Sequence, residues 1–187
     1  MRKIAASLLL VLAWGACSGM QKGTSPELEE QLRGAANAGD LEQVEKLLAD
    51  GVDPNGADDE LHTALMWASF EGHAEVVKAL LDAGAEVDPA DENQRTALFF
   101  ASSGPFPNVV SLLLAKGASV SSRDIEGWTP LMIAAAEGQL ANVEELLEAG
   151  SDPTLRDGDG DSAQTFARNN GHLQVVERLE QALQQSQ

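Results

Sequence analysis

Hydrophobic positions recur along this chain with a period of 33 residues. One register position holds Val44, Val77, Val110, Val143 and Val176, and a second holds Leu47, Leu80, Leu113, Leu146 and Leu179. Apolar residues spaced three and four positions apart within each unit predict a helix with one buried face. Because a unit of this size cannot bury that face alone, the period predicts a solenoid of stacked helical repeats.

The unit from 124 to 156 shows the predicted helices most clearly. Thr129 is the predicted N-cap of a first, alanine-rich helix, and Pro130 stands at the first helical position. A second helix is predicted from about Leu140 to Ala149, with Gly150 at its C-terminal cap. Each unit is therefore expected to contain two helices followed by a loop.

Residues Asp124–Leu131, with the sequence DIEGWTPL, resemble the ankyrin repeat. The pattern of that family is a turn, a Thr-Pro-Leu-His opening, two antiparallel helices and a Gly-Ala-Asp segment. The resemblance covers residues 27 to about 183 and implies an all-α fold, an ankyrin-repeat solenoid with protruding β-turn fingers. Five repeats are predicted, at about 26–55, 56–90, 91–123, 124–156 and 157–187, the first and last as caps.

The chain departs from the family pattern at two places. Met66, Phe99 and Met132 replace the histidine of the opening, so we expect its usual hydrogen bond to be absent and apolar packing to replace it. The third repeat carries residues 104–107, Gly-Pro-Phe-Pro, where its neighbours have a glycine and a helix start. We expect a local deviation of that loop, which exposes Phe106.

Residues 1–16 predict a secretory signal that is separate from the repeats. Two basic residues precede the apolar run Ile4–Trp14, which is too short to span a bilayer as a stable helix. Cys17 follows this run and resembles the lipidated cysteine of a bacterial lipoprotein, and Ser18 suits the outer membrane. Ordinary cleavage nearby is the alternative. Both predict a periplasmic protein with a flexible tether over 17–26.

The formal net charge of −18 is the strongest functional indication after the repeat. It argues against nucleic acid as a partner. Many carboxylates fall in the turns between repeats, which are the fingers of the ankyrin fold. The resemblance implies that the finger tips and the first helices form a concave surface that holds another protein. We expect a monomer that binds a protein with a basic surface, the alternative being that the acids only keep the protein soluble.

The candidate contacts are register positions on the fingers and at the ends of the first helices. Phe70, Ile125 and Trp128 are the predicted hot spots, because interface energy concentrates in a few large side chains. The other candidates are Asp59, Glu60, His62, Glu71, Glu92, Asn93, Arg95, Glu126, Glu137, Asp159 and Asp161. Trp128 has the alternative of packing along its own turn. Packing between repeats is expected for Trp67, Phe99 and Phe100.

No catalytic or metal-binding constellation can be assembled from the sequence. His73 and His172 occupy a register position after a helix-ending glycine, which leaves only His62 as a candidate base or ligand. Residues 157–161 alternate aspartate and glycine as calcium loops do, but Ser162 stands where an EF-hand needs glycine. We therefore predict a non-enzymatic protein without a cofactor.

The predicted function is binding of another protein by the acidic concave face. The sharper hypothesis is that the protein inhibits an exported enzyme, as an immunity or self-protection protein does, by covering a basic active-site region. The alternative is an envelope scaffold or assembly factor that leaves its partner active. A metal-buffering protein of the envelope is a third class, and it would require calcium dependence.

Overall fold

The computed structural model describes residues 25–185, which form ten helices in five pairs. They are α1 Pro26–Ala38, α2 Leu41–Ala49, α3 Ala64–Glu71, α4 Ala74–Asp82, α5 Ala97–Ser103, α6 Pro107–Ala115, α7 Pro130–Ala136, α8 Leu140–Glu148, α9 Ala163–Asn169 and α10 Leu173–Gln185. The predicted signal, Cys17 and most of the predicted tether lie outside the described residues. Within them, no helix is long and apolar enough to cross a membrane. The predicted all-α repeat solenoid is confirmed.

The pairs stack in chain order as two layers. The inner layer contains α1, α3, α5, α7 and α9, the outer layer contains the other helices, and each helix contacts the next one of its own layer. Ala68, Ala101 and Ala134 are fully buried in the inner layer, where small side chains let the helices approach closely. Val143 of the fourth pair is also fully buried, whereas Val176 of the last pair is only partly buried. The core is therefore made between repeats.

Each inner helix begins at a hydroxyl residue that caps it. The Oγ1 of Thr129 accepts a hydrogen bond from the N–H of Met132, and Thr63 does the same for Met66. The methionine sulfurs in turn accept a hydrogen bond from the backbone of the capping residue: Met132 Sδ lies 3.4 Å from the N atom of Thr129, and Met66 Sδ lies 3.5 Å from that of Thr63. The expectation that the histidine's hydrogen bond is lost is therefore wrong at both methionines, because a thioether sulfur can still accept a weak hydrogen bond. Phe99 has no such acceptor.

Most inner helices end at a left-handed glycine that the next repeat covers. The imidazole of His73 packs over Gly39, which has a φ of 70°, and its Nε2 lies 3.1 Å from the carbonyl oxygen of Asn37. A Cβ at Gly39 would lie 2.6 Å from the ring, so both the backbone and the close approach require glycine. His172 covers Gly138 in the same way. These two histidines are structural, as their register predicts.

The third repeat ends its inner helix differently. Pro105 stands at the register position of the left-handed glycines, and Gly104 before it is extended, with φ −104° and ψ 174°. Phe106 takes the register position of His73, and its ring packs over Gly72. The expectation that the loop exposes Phe106 is therefore wrong, because the ring fills the space that an imidazole fills in other repeats.

A buried asparagine of the fourth repeat satisfies this irregular helix end. Asn142 is fully buried, and its Nδ2 donates to the carbonyl oxygens of Ala101 at 3.3 Å, Ser102 at 3.2 Å and Gly104 at 2.6 Å. These carbonyls would otherwise lack a donor in a buried position. One side chain of the next repeat thus holds the end of α5.

In the regular repeats, a backbone N–H donates to the carbonyl that corresponds to that of Ala101. In the second repeat, the N–H of His73 donates to the carbonyl of Ala68 at 2.9 Å. The corresponding N–H of the third repeat, that of Phe106, donates to Gly104 instead. The carbonyl of Ala101, which this N–H would contact in a regular repeat, accepts from Asn142 instead. The departures at Pro105 and Asn142, in adjacent repeats, therefore compensate each other.

Replacement of Asn142 should reveal this compensation. Val76 and Val109 occupy its register position in the two preceding repeats, so Asn142→Val restores the usual side chain but removes the donor. We expect the free energy of unfolding, measured by urea denaturation, to fall by about 1–3 kcal/mol, the cost of buried carbonyls without a partner. In a Pro105→Gly background, where the helix can end regularly, the same change should cost less. Equal costs in both backgrounds would contradict the coupling.

Candidate protein-binding surface

Each finger is a tight turn that closes on one aspartate. The four aspartates share a register position, at Asp58, Asp91, Asp124 and Asp157. The Oδ1 atom of each accepts a hydrogen bond at 2.8 Å from the backbone N–H four residues further on. An aspartate that bonds its own backbone in this way fixes the turn. One carboxylate of each finger is therefore structural.

Asp58 shows the electrostatic effect of this arrangement. Burial raises the pKa of its carboxyl, but hydrogen bonds from the backbone N–H groups of His62 and Glu60, together with the neighbouring imidazole, bring the pKa below its ordinary value of 3.8. The carboxylate therefore stays ionised to a lower pH than that of an ordinary aspartate does. Its negative charge persists at the base of the finger.

Adjacent fingers are joined by backbone hydrogen bonds. The N–H of Glu92 donates to the carbonyl of Glu60 at 3.1 Å, and the N–H of Ile125 donates to that of Asn93 at 3.0 Å. The N–H of Gly158 completes the series with a bond to Glu126 at 2.9 Å. The finger tips consequently form one continuous edge rather than independent loops.

Most of the predicted contacts lie on this edge or beside it. The exposed ones on the fingers are Asp59, Glu60, Glu92, Asn93, Ile125, Glu126 and Asp159, whereas Asp161 is half-buried. Glu71 ends α3 and Glu137 follows α7, and both are exposed. Several carboxylates therefore line the edge and create a negative field along it.

We use the term groove for the surface between the fingers and the exposed face of the inner helices. Trp67, Phe70 and Phe100 form its aromatic floor. The Phe70 and Phe100 rings meet edge-on at 6.1 Å, and Trp67 and Phe100 are half-buried. Packing between repeats was predicted for both; Phe100 does pack against the buried core, and each of the two rings remains partly exposed. Only Phe99 is buried as expected.

His62 does not lie on the surface as predicted. It is 8% exposed, and its ring packs 5.0 Å from that of Trp67. Its Nδ1 lies 3.3 Å from Asp58 Oδ2, and its Nε2 lies 3.6 Å from Asp91 Oδ2 in the next finger. The prediction of a surface contact is wrong here because the imidazole packs between two fingers.

Arg95 is also bound within its own finger. Its Nη2 lies 2.6 Å from Asp91 Oδ2, and the Asp91 carboxylate is fully buried. The guanidinium sits 4.9 Å above the centre of the Phe100 ring, in a cation–π contact. Arg95 keeps 31% of its side chain exposed, so it shapes the floor of the groove rather than projecting from it.

The three predicted hot spots differ in their exposure. Ile125 is 60% exposed at a finger tip, and Phe70 is 46% exposed at the end of α3. Trp128 is half-buried, and its ring packs at a 40° tilt against that of Phe166 in the next repeat, with the ring centroids 4.1 Å apart. Phe70 and Ile125 are thus open to a partner, whereas Trp128 joins two repeats.

Leu61 is an exposed apolar residue that sequence reasoning missed. It is 50% exposed on the second finger and has a φ of 65°, a left-handed conformation that leucine rarely adopts. Gly127 and Gly160 take the same register position in later fingers, with φ values of 88° and 89°. Comparing the repeats would have revealed a leucine at a glycine position. The strain is local, and an exposed apolar side chain gains nothing in the fold that would explain it.

The alternating aspartates of residues 157–161 are a finger turn. The Oδ1 of Asp157 accepts hydrogen bonds from the N–H of Asp159 at 3.0 Å and from that of Asp161 at 2.8 Å. Across residues 25–185, no group of three or more histidine, cysteine, aspartate or glutamate side chains is arranged to hold a metal ion. This loop therefore follows the geometry of the other fingers.

The family model that is described as ankyrin repeats (3 copies) matches residues 32–124 and 91–157. These matches cover more than half of the 187 residues. The chain belongs to the ankyrin repeat family. No curated protein matches it. Ankyrin repeats indicate a protein–protein interaction module, and the fold is typically a non-enzymatic scaffold.

Glycine at position 61 should stabilise this ankyrin repeat protein. A left-handed conformation costs an ordinary residue about 1–2 kcal/mol, so we expect Leu61→Gly to raise the free energy of unfolding by about 1 kcal/mol. Gln94, with a φ of 61° at the same register position, gives a matched control, and Gln94→Gly should have a similar effect. Urea denaturation measures both. A loss of stability in Leu61→Gly would show that the side chain supports the finger.

Proposed function

We propose that this ankyrin repeat protein binds another protein, with a basic surface, through the groove. One observation carries the proposal: a continuous edge of acidic finger tips runs beside apolar side chains that are largely exposed. The apolar residues are Leu61, Phe70 and Ile125, at 50%, 46% and 60% exposure. Contiguous apolar surface rimmed by polar residues is typical of interaction sites, and here Phe70 adjoins the half-buried Phe100 ring at 6.1 Å.

The two kinds of residue have different roles in this proposal. Full burial of a large apolar side chain contributes roughly 1.5–3 kcal/mol, whereas an exposed ion pair contributes about 0–1 kcal/mol. The apolar residues therefore supply most of the affinity and slow dissociation. The carboxylates accelerate encounter with a basic partner, and salt should reduce that acceleration.

We propose a periplasmic location, with an outer-membrane anchor at Cys17. The support is the apolar run Ile4–Trp14 and the cysteine that follows it. Metabolic labelling with palmitate should mark the parent protein and leave Cys17→Ala unmarked. An exported but unlabelled parent would show ordinary cleavage, and a protein retained in the cytoplasm would contradict export.

We further propose that binding inhibits an exported enzyme and that the free protein is a monomer. A small, strongly acidic module is suited to covering a basic active-site entrance by charge complementarity. Inhibition requires only that the groove and the substrate compete for the same surface. Sedimentation of the purified protein tests the monomer, and an assay of the bound partner tests inhibition.

Affinity capture from an envelope extract tests the binding site. The double variant Phe70→Ala/Ile125→Ala removes two exposed side chains, and we expect it to recover at least tenfold less partner than the parent protein does. Leu173→Ala is the matched control, because Leu173 is 75% exposed at the start of α10, on the outer layer. Circular dichroism verifies that all variants are folded.

The outcomes of the capture separate the hypotheses. A partner that the double variant loses, and whose enzymatic activity the parent protein abolishes at saturation, supports inhibition through the groove. A partner that stays fully active while bound indicates a scaffold. Equal recovery by the double variant and the parent, with loss in Leu173→Ala, would place the interface on the outer layer and overturn the proposal.

A further inference from the structure

A cavity of about 620 Å³ opens at the N-terminal end of the groove. It lies between α1, residues 57–59 of the second finger and the half-buried indole of Trp67 on α3. It differs from the rest of the groove because an aromatic ring, several carboxylates and open space occur together. These features indicate what kind of group would fit there.

Gly34 leaves this space open. It occupies the register row that Trp67, Phe100, Ile133 and Phe166 fill in the other repeats. It lies inside α1, where glycine is among the least favourable residues, and a Cβ built there would meet nothing within 4 Å. The packing of the chain therefore does not require glycine at this position. The missing side chain is what opens the groove beside Trp67.

The cavity is strongly acidic. Four carboxylates line it, those of Glu27, Glu30, Asp58 and Asp59. The guanidinium of Arg33 is the one cation among the lining residues, and its Nη1 donates to the carbonyl of Gly56 at 3.2 Å. The excess of negative charge favours a cationic occupant.

The next repeat shows how a guanidinium is held beside the aromatic ring at the register position of Trp67. There, Arg95 lies 4.9 Å above the Phe100 ring while its Nη2 contacts the carboxylate of Asp91. Trp67 is the register equivalent of Phe100, and His62, which replaces Arg95, packs 5.0 Å from the Trp67 ring and lies 3.3 Å from Asp58 Oδ2. Besides the part of the indole that His62 covers, the cavity presents the exposed part of the Trp67 ring and the carboxylates of Glu27, Glu30 and Asp59, together with room for a side chain from outside.

We propose that this cavity binds an arginine side chain of the partner protein, with the guanidinium against Trp67 and within reach of the surrounding carboxylates. A planar guanidinium stacks on an aromatic ring and pairs with carboxylates at its edge, which an ammonium group does less well. The inference rests on the proposed function, since it assigns the cationic anchor of the same partner. It places that anchor at the N-terminal end of the groove.

A peptide probe tests the cavity without the partner. Acetyl-Gly-Arg-Gly-amide is titrated into the ¹⁵N-labelled purified protein at low ionic strength, and the indole N–H signal of Trp67, assigned with Trp67→Phe, is followed by NMR. We expect a saturable shift, with at least tenfold weaker binding of the peptide that carries uncharged citrulline. Equal binding of the two peptides would overturn the proposal.

Gly34→Leu blocks the cavity without threatening the fold. Leucine is a better helix former than glycine, so we expect a higher melting temperature together with loss of the peptide-induced shift. Ala38→Leu, which adds the same side chain to α1 outside the cavity lining, should bind the peptide as the parent does. Undiminished binding by Gly34→Leu would contradict the assignment.

Partner capture with Gly34→Leu separates this inference from the proposed function. Reduced capture supports the arginine site within the groove. Full capture by Gly34→Leu, with loss in Phe70→Ala/Ile125→Ala, would overturn the arginine site and leave the groove as the interface. Full capture by both variants would overturn both.

Discussion

The burial of each helix pair against the next repeat is the constraint on which this structure depends. The register valines show it: Val44, Val77, Val110 and Val143 are fully buried between pairs, and Val176 of the last pair is only partly buried. Because the core lies between repeats, the most exposed residues on the groove side, such as Phe70 at 46% exposure, contribute little to the core. Exposed positions on that side can carry acidic residues, or a glycine such as Gly34, at the cost of local helix propensity alone.

The same constraint explains why an irregular residue in one repeat is compensated by a contact from the neighbouring repeat. Pro105 removes the regular end of α5, and the buried amide of Asn142 in the next repeat supplies the missing donor. Phe106 covers Gly72 in the preceding repeat, where a histidine would stand. The fingers are coupled as well, through backbone bonds such as that from Ile125 to Asn93. A partner that contacts one finger therefore meets an edge held in place by the others.

The period and the caps could be predicted because they repeat. Thr129 caps α7 as its sequence motif indicates, and the helix pairs follow the 33-residue register. Contacts between unlike residues of adjacent repeats could not be predicted. A register position fixes where the Cα atom of a residue lies but not which side chains of the adjacent repeat it contacts. The burial of His62 and the packing of Phe106 were therefore missed. Leu61 could have been found by comparing the repeats, because two later fingers carry glycine at its register position, Gly127 and Gly160.

Hydrogen exchange of the free protein and of its complex with the captured partner tests the central claim, that the groove is the binding surface. The account predicts slower exchange in residues 57–62, 90–95 and 124–128 of the fingers and at the exposed end of α3 in the complex. The outer helices α4, α6 and α8 should exchange as they do in the free protein. Protection confined to the outer helices, with unchanged fingers, would contradict the account.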